Sequence, residues 1–146
     1  MKWQKYLTAG ETAGLAMGLD YSVSEEPQAP KTHPDSDEYG LWPEYYETKE
    51  AFEIYKALIE EYKVAEKFQY HEGDVQSEIV ISDYQMITSE YHFSPEHSRA
   101  TRESLGNWFF SFGEKEKALL FNPEAEEDFR KWKSSQEPAS ETPNVY

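Results

Sequence analysis

The sequence predicts an α+β fold: a small antiparallel sheet of about four strands with helices packed on one face, joined to a flexible acidic linker and tail. Three observations lead there. One long segment repeats its apolar residues at helical spacing. Several short segments alternate apolar and polar residues or run in strand-favouring aromatics. Proline and acidic residues gather outside both kinds of segment.

Residues 1–20 read as an N-terminal arm. They begin basic, with Lys2 and Lys5, and carry Gly10, Gly14 and Gly18 four apart. That spacing lines one helix face with small residues, but each glycine costs a water-exposed helix roughly 1 kcal/mol. A flexible or partner-ordered arm is the favoured reading and a packed helix the competitor. Residues 21–47 read as an acidic, proline-rich linker. Pro27, Pro30, Pro34 and Pro43 interrupt it, and Glu25, Glu26, Asp35, Asp37, Glu38, Glu44 and Glu47 stand against Lys31. Such a segment lacks the apolar content to fold alone. Tyr39, Leu41, Trp42, Tyr45 and Tyr46 gather at its end and are expected to dock on the domain.

The compact domain is expected over residues 48–133. Phe52, Tyr55, Leu58, Ile59, Tyr62 and Ala65 repeat at three and four and predict a helix over 48–70, with Thr48 as its N-cap. Val75, Ser77, Ile79 and Ile81 alternate with Gln76, Glu78, Val80 and Ser82 and predict a strand, with a bend near Ser82-Asp83 and a second strand from Met86 to Phe93, where Tyr84 to Tyr91 also tolerates a helical reading. Ser94-Pro95 suits the start of a short helix, with Gly106 as its stop. Asn107 to Phe112 and Lys117 to Phe121 read as a β-hairpin around Gly113-Glu114-Lys115-Glu116. Asn122-Pro123 starts a last helix whose stripe is Ala125, Phe129 and Trp132. Its acidic first turn and basic end complement the helix dipole. The expected core cluster is Phe52, Tyr55, Leu58, Ile59, Trp108, Phe110, Leu120, Phe129 and Trp132. Residues 134–146 are polar and expected to be a disordered tail.

Composition narrows the function classes. Hydrophobic residues make up 38% of the 146 and aromatics 16%, which points to one modest core built from large rings. The net charge of −15 comes from 14 Lys+Arg against 29 Asp+Glu. It disfavours direct contact with nucleic acid or an anionic membrane and favours basic partners. Cysteine is absent, which excludes disulfides and thiolate metal sites and fits a reducing, cytoplasmic setting. The first residues make a poor signal peptide, and no apolar run approaches the roughly 18 residues needed to span a bilayer.

Motifs for chemistry are sparse. His92 and His97 are five apart across Ser94-Pro95, so they do not share a helix face as a metal-binding pair four apart does. His71-Glu72-Gly73-Asp74 sets an imidazole beside carboxylates, a pattern more typical of a solvated helix stop than of acid–base catalysis. There is no Gly-x-Ser-x-Gly elbow and no phosphate-binding glycine loop. The Glu-x-Lys pair at Glu47-Thr48-Lys49 lies at a helix start, and the pair at Glu61-Tyr62-Lys63 lies inside the helix, where a two-residue step turns the side chains apart. No catalytic, cofactor or metal residue is assigned.

The expected function is therefore a non-enzymatic, acidic protein-binding module. It would act as an inhibitor or adaptor on a larger basic or nucleic-acid-binding protein, with mimicry of DNA by surface carboxylates as one form of that role. The expected contact residues are Asp35, Asp37, Glu38, Tyr39, Trp42, Tyr45, Tyr46, Glu53, Glu60 and Glu61. One alternative is a small hydrolase or nuclease using His71, His92 or His97 with neighbouring carboxylates. A second is a structural subunit of an assembly. Small size, acidity and aromatic richness are also common among virus-borne and mobile-element accessory proteins.

Overall fold

The computed structural model describes residues 4–31, 33, 41–72, 74–89 and 91–136. The fold is α+β. In chain order the elements are β1 (Tyr6–Leu7), α1 (Ala9–Ala16), α2 (Leu41–Tyr70), β2 (Ile81–Asp83), β3 (Met86–Ile87), β4 (His92–Phe93), β5 (Arg99–Thr101), α3 (Arg102–Ser111), α4 (Lys115–Phe121) and α5 (Ala125–Gln136). Three strands form an antiparallel sheet in the order β1-β5-β2, and β3 pairs with β4 as a separate antiparallel ribbon. The β2–β5 pairing is irregular between Ile81 and Asp83, where the sequence suggests a bend.

Residues 6–16 are part of the fold, as in the packed-helix reading and contrary to the arm reading. Thr8 caps α1: its side chain accepts from the Glu11 N–H, and the Glu11 carboxylate accepts from the Thr8 N–H. This reciprocal box satisfies two amide donors that a helix start leaves open. Leu7, Ala9 and Ala13 are fully buried. Ala13 packs with Ala51 of α2, and Gly10 lets the Ser22–Val23 segment approach where a Cβ would clash, so packing offsets the low helix propensity of glycine. Within the expected linker, Val23 is buried and residues 41–47 are helical.

α2 runs for 30 residues, about 45 Å. It starts before Thr48, which lies inside the helix and donates from Oγ1 to the Glu44 carbonyl rather than capping. Pro43, expected to break structure, sits in the first turn, where a missing N–H costs nothing. Leu58, Tyr62 and Ala65 are fully buried, and the Tyr62 hydroxyl donates to the Leu7 carbonyl at 2.8 Å. Burial pushes the Tyr62 phenol well above its ordinary range.

The expected strand over 75–82 keeps its alternation but little of its ladder. Ser77, Ile79 and Ile81 are buried and Val80 is exposed, yet paired strand begins only at Ile81. Side chains take the upstream amides: the Ile79 N–H donates to Ser77 Oγ, the Val80 N–H to Ser104 Oγ, and the Ile81 N–H to Gln69 Oε1. Val75, expected inside, is exposed. The strand expected from Met86 to Phe93 is the β3–β4 ribbon, in which Tyr91 adopts a left-handed backbone with φ of 57°.

Two further expectations are corrected. Ser94-Pro95 opens a single turn, closed by the Ser98 N–H donating to the Ser94 carbonyl, and the chain then forms the central strand β5. The segment read as a hairpin is helical on both sides. Leu105, Trp108, Phe109 and Phe112 recur at three and four, Thr101 Oγ1 accepts from the Ser104 N–H, and Gly113 at φ of 79° ends α3. Gly106, expected as a stop, lies within α3. A Cβ there would meet the Asn122 Cβ at 2.6 Å and its backbone nitrogen at 2.9 Å, so glycine permits the close approach of α3 to the end of α4.

The main core gathers Leu7, Leu58, Tyr62, Ile79, Ile81, Leu105, Trp108, Phe109 and Phe121. Tyr55, Ile59 and Phe110 pack partly against it, and Phe52 packs on a smaller cluster around Ala13, Val23 and Ala51. Leu120, expected in the core, is 55% exposed, because the helical turn of α4 directs Ala118 and Phe121 inward instead. Phe129 and Trp132 are half-buried: Phe129 meets Phe110 at 5.6 Å, and Trp132 stacks outside it at 6.0 Å. α5 continues to Gln136, beyond the expected start of the tail, and the rest of the tail lies outside the described residues.

Candidate functional site

The same periodicity that buries one face of α2 exposes the other. At about 100° per residue, Trp42, Tyr46, Glu50, Glu53, Ala57 and Glu60 fall within an arc of roughly 80°. That arc lies opposite Leu58, Tyr62 and Ala65. Tyr46, Glu50, Glu53, Ala57 and Glu60 are exposed, and Trp42 is half-buried.

Three rings crown the N-terminal turns of α2. Trp42 and Tyr45 meet edge to face at 5.6 Å, Trp42 and Tyr46 at 5.7 Å, and Tyr45 and Tyr46 at 5.4 Å. The spacings of three and four place them on adjacent turns. The Lys49 ammonium sits 5.9 Å from the Tyr45 ring centre. Pro27, Pro30 and Lys31 line a cleft of about 320 Å³ with Leu41, Glu44 and Tyr45, so the preceding segment borders the ring group.

The carboxylates of α2 are not equivalent. Glu53 pairs with Lys56 at 3.0 Å and Glu60 with Lys63 at 3.3 Å. Glu61 accepts from the Ser77 hydroxyl at 2.6 Å. Burial raises the pKa of the neighbouring Glu78 carboxyl, and the Glu61 charge adds to the rise. Glu44, Glu47 and Glu50 recur every three residues, and none has an ion-pair partner among the described residues. The turns that carry the rings thus hold three carboxylates outside ion pairs, spread around the helix so that Glu50 falls on the outward arc. In the sequence Glu44 and Glu47 read as linker residues, and their spacing of three, continued by Glu50, is the signal of a common helix.

A groove opens where α2 faces the corner between α3 and α4. Its volume is about 220 Å³, and Ile54, Ala57, Trp108 and Phe112 give it an apolar lining. Glu50 and Glu53 border it on one side, Glu114 and Lys117 on the other. The groove is invisible in the sequence once residues 107–112 are read as a strand.

Among the other expected contact residues, Asp35, Asp37, Glu38 and Tyr39 lie outside the described residues. The histidines occupy separate elements. The His71 Nε2 lies 2.6 Å from the Glu66 carboxylate, which is 7% exposed and also accepts from the Tyr84 hydroxyl. This arrangement orients an imidazole and ties the end of α2 to the chain after β2. The His97 Nδ1 lies 2.7 Å from Ser94 Oγ within the Ser94 turn. Ser94 is 1% exposed, so its hydroxyl is closed to a substrate. His92 is on β4, opposite Ile87. Among the described residues no three His, Asp or Glu side chains are placed to hold a metal ion, and no helix is long and apolar enough to cross a membrane. No protein-family model, curated protein or solved structure matches this chain.

Proposed function

We propose that the chain is a non-enzymatic, acidic protein-binding module that presents the exposed N-terminal turns of α2 to a basic partner. The observation that carries this reading is the Trp42–Tyr45–Tyr46 ring group lying beside Glu44, Glu47 and Glu50 on one helix. Rings of this kind supply large contact area at small entropic cost, and Trp and Tyr anchors dominate many interfaces. Carboxylates around them speed encounter with a basic surface and disfavour acidic competitors. A nucleic-acid-binding protein fits this chemistry, because the surface that receives phosphates also receives carboxylates. The role is then that of an inhibitor or adaptor in the cytoplasm, a setting compatible with the absence of cysteine.

The test is capture from a lysate, comparing the wild type with a variant carrying Glu44→Gln, Glu47→Gln and Glu50→Gln. A basic protein retained by the wild type at about 50 mM salt should be lost by the variant and by the wild type at about 500 mM, where screening lengths fall to a few Å. A second variant, Trp42→Ala with Tyr46→Ala, should lose the same protein at both salt levels. Retention unchanged in all three conditions would sink the proposal.

A further inference from the structure

We infer that the groove between α2 and the α3–α4 corner seats one apolar side chain of the partner, carried on a segment with Lys or Arg flanking it. The inference rests on the reading of α2 as the binding face and adds what that face recognises. Size gives the first argument. About 220 Å³ is smaller than the roughly 300–1,000 Å³ of small-molecule sites. It exceeds the roughly 150 Å³ that accepts benzene in an engineered cavity. It suits a single Leu, Met or Phe.

Lining and charge give the second argument. Phe112 is 66% exposed although its ring meets Trp108 edge to face at 5.0 Å, so this wall leaves apolar area in water for an occupant to cover. The border carries three carboxylates, Glu50, Glu53 and Glu114, against one ammonium, Lys117. Glu114 and Lys117 already pair at 3.2 Å, and Glu53 pairs with Lys56. Glu50 remains to meet a cation. That charge selects an apolar anchor with basic neighbours and disfavours a second copy of this chain, whose net charge is −15.

Continuity gives the third. Ala57 lies eleven residues beyond Tyr46 on the same face of α2, about 16 Å along the axis. An amphipathic partner helix of about eleven residues therefore spans from the ring group to the groove.

The experiment uses two synthetic helical peptides with identical Lys content, one bearing a central Leu and the other Ser in its place. Each is titrated into the ¹⁵N-labelled full chain, followed by amide and indole shifts. The Leu peptide should bind about tenfold tighter or better, with shifts concentrated at Ala57, Trp108 and Phe112. Ala57→Arg places a long side chain at the exposed mouth of the groove and should abolish the preference for Leu. Phe112→Ser should reduce it, and matched melting curves will show that both variants are folded. Equal affinity for the two peptides, or a Leu preference that survives Ala57→Arg, overturns the groove assignment. Equal but salt-sensitive binding of both peptides would do so while leaving the acidic-face reading in place. Binding of neither would remove both.

Discussion

The two faces of α2 are built from one run of sequence and do opposite things. The inward face places Leu58, Tyr62 and Ala65 in full burial against β1 and the sheet. The outward face holds Trp42, Tyr46, Glu50, Glu53 and Glu60 in water or at its margin. Buried side chains hold α2 from Ala51 onward, and the rings lie on the helical turns just before that anchored stretch. Aromatic anchors on a rigid element lose little conformational entropy on binding. The two faces should therefore separate under mutation, the inward face governing stability and the outward face association.

The largest expected effect is on the inward face. Leu58→Ala removes a fully buried side chain and should lower unfolding stability by about 2–5 kcal/mol. Chemical denaturation measures this directly. A loss below about 1 kcal/mol would show that the inward face is not the centre of the core.

Gly106→Ala comes next and sets two effects against each other. In an exposed helix interior alanine gains up to about 1 kcal/mol over glycine. Here the new methyl would meet Asn122 at 2.6–2.9 Å, and overpacking of this kind costs about 1–3 kcal/mol. Net destabilisation is expected. A raised melting temperature would mean that α3 and the end of α4 stand further apart than described.

Glu78→Gln has a smaller effect with a definite sign. Burial raises the folded-state carboxyl, so the folded chain holds this proton to higher pH than the unfolded chain does. Its contribution to stability is complete below the unfolded pKa and is lost as pH rises through the folded one. The Gln variant should match or exceed the wild type at pH 7, and its advantage should shrink as pH falls into the carboxylate range. The reverse trend would contradict the burial of Glu78 beside Glu61.

Legibility followed the same division. The inward face of α2 was readable because Phe52 to Ala65 repeat with a strong period. Its start is hidden by Pro43, which reads as a breaker although a first turn accepts proline. Trp108-Phe109-Phe110 invited a strand, since aromatics favour strands. Packing of Leu105, Trp108 and Phe109 at helical spacing overrode that preference. The glycines of α1 concealed a helix that the Thr8–Glu11 box announces. Of the candidate site, the ring group was legible as a local cluster. The groove was not, because it exists only where two helices distant in sequence face each other.

The most direct test of the central claim takes stability and binding on the same samples. The Glu44→Gln, Glu47→Gln, Glu50→Gln variant and the wild type are compared for melting temperature and for association rate with the captured basic protein, at low and high salt. The account predicts nearly equal melting temperatures, since exposed carboxylates contribute little to folding. It predicts an association rate reduced about tenfold at low salt and converging with the wild type at high salt. Equal association rates at low salt, or a slower rate accompanied by a clear fall in melting temperature, would contradict it.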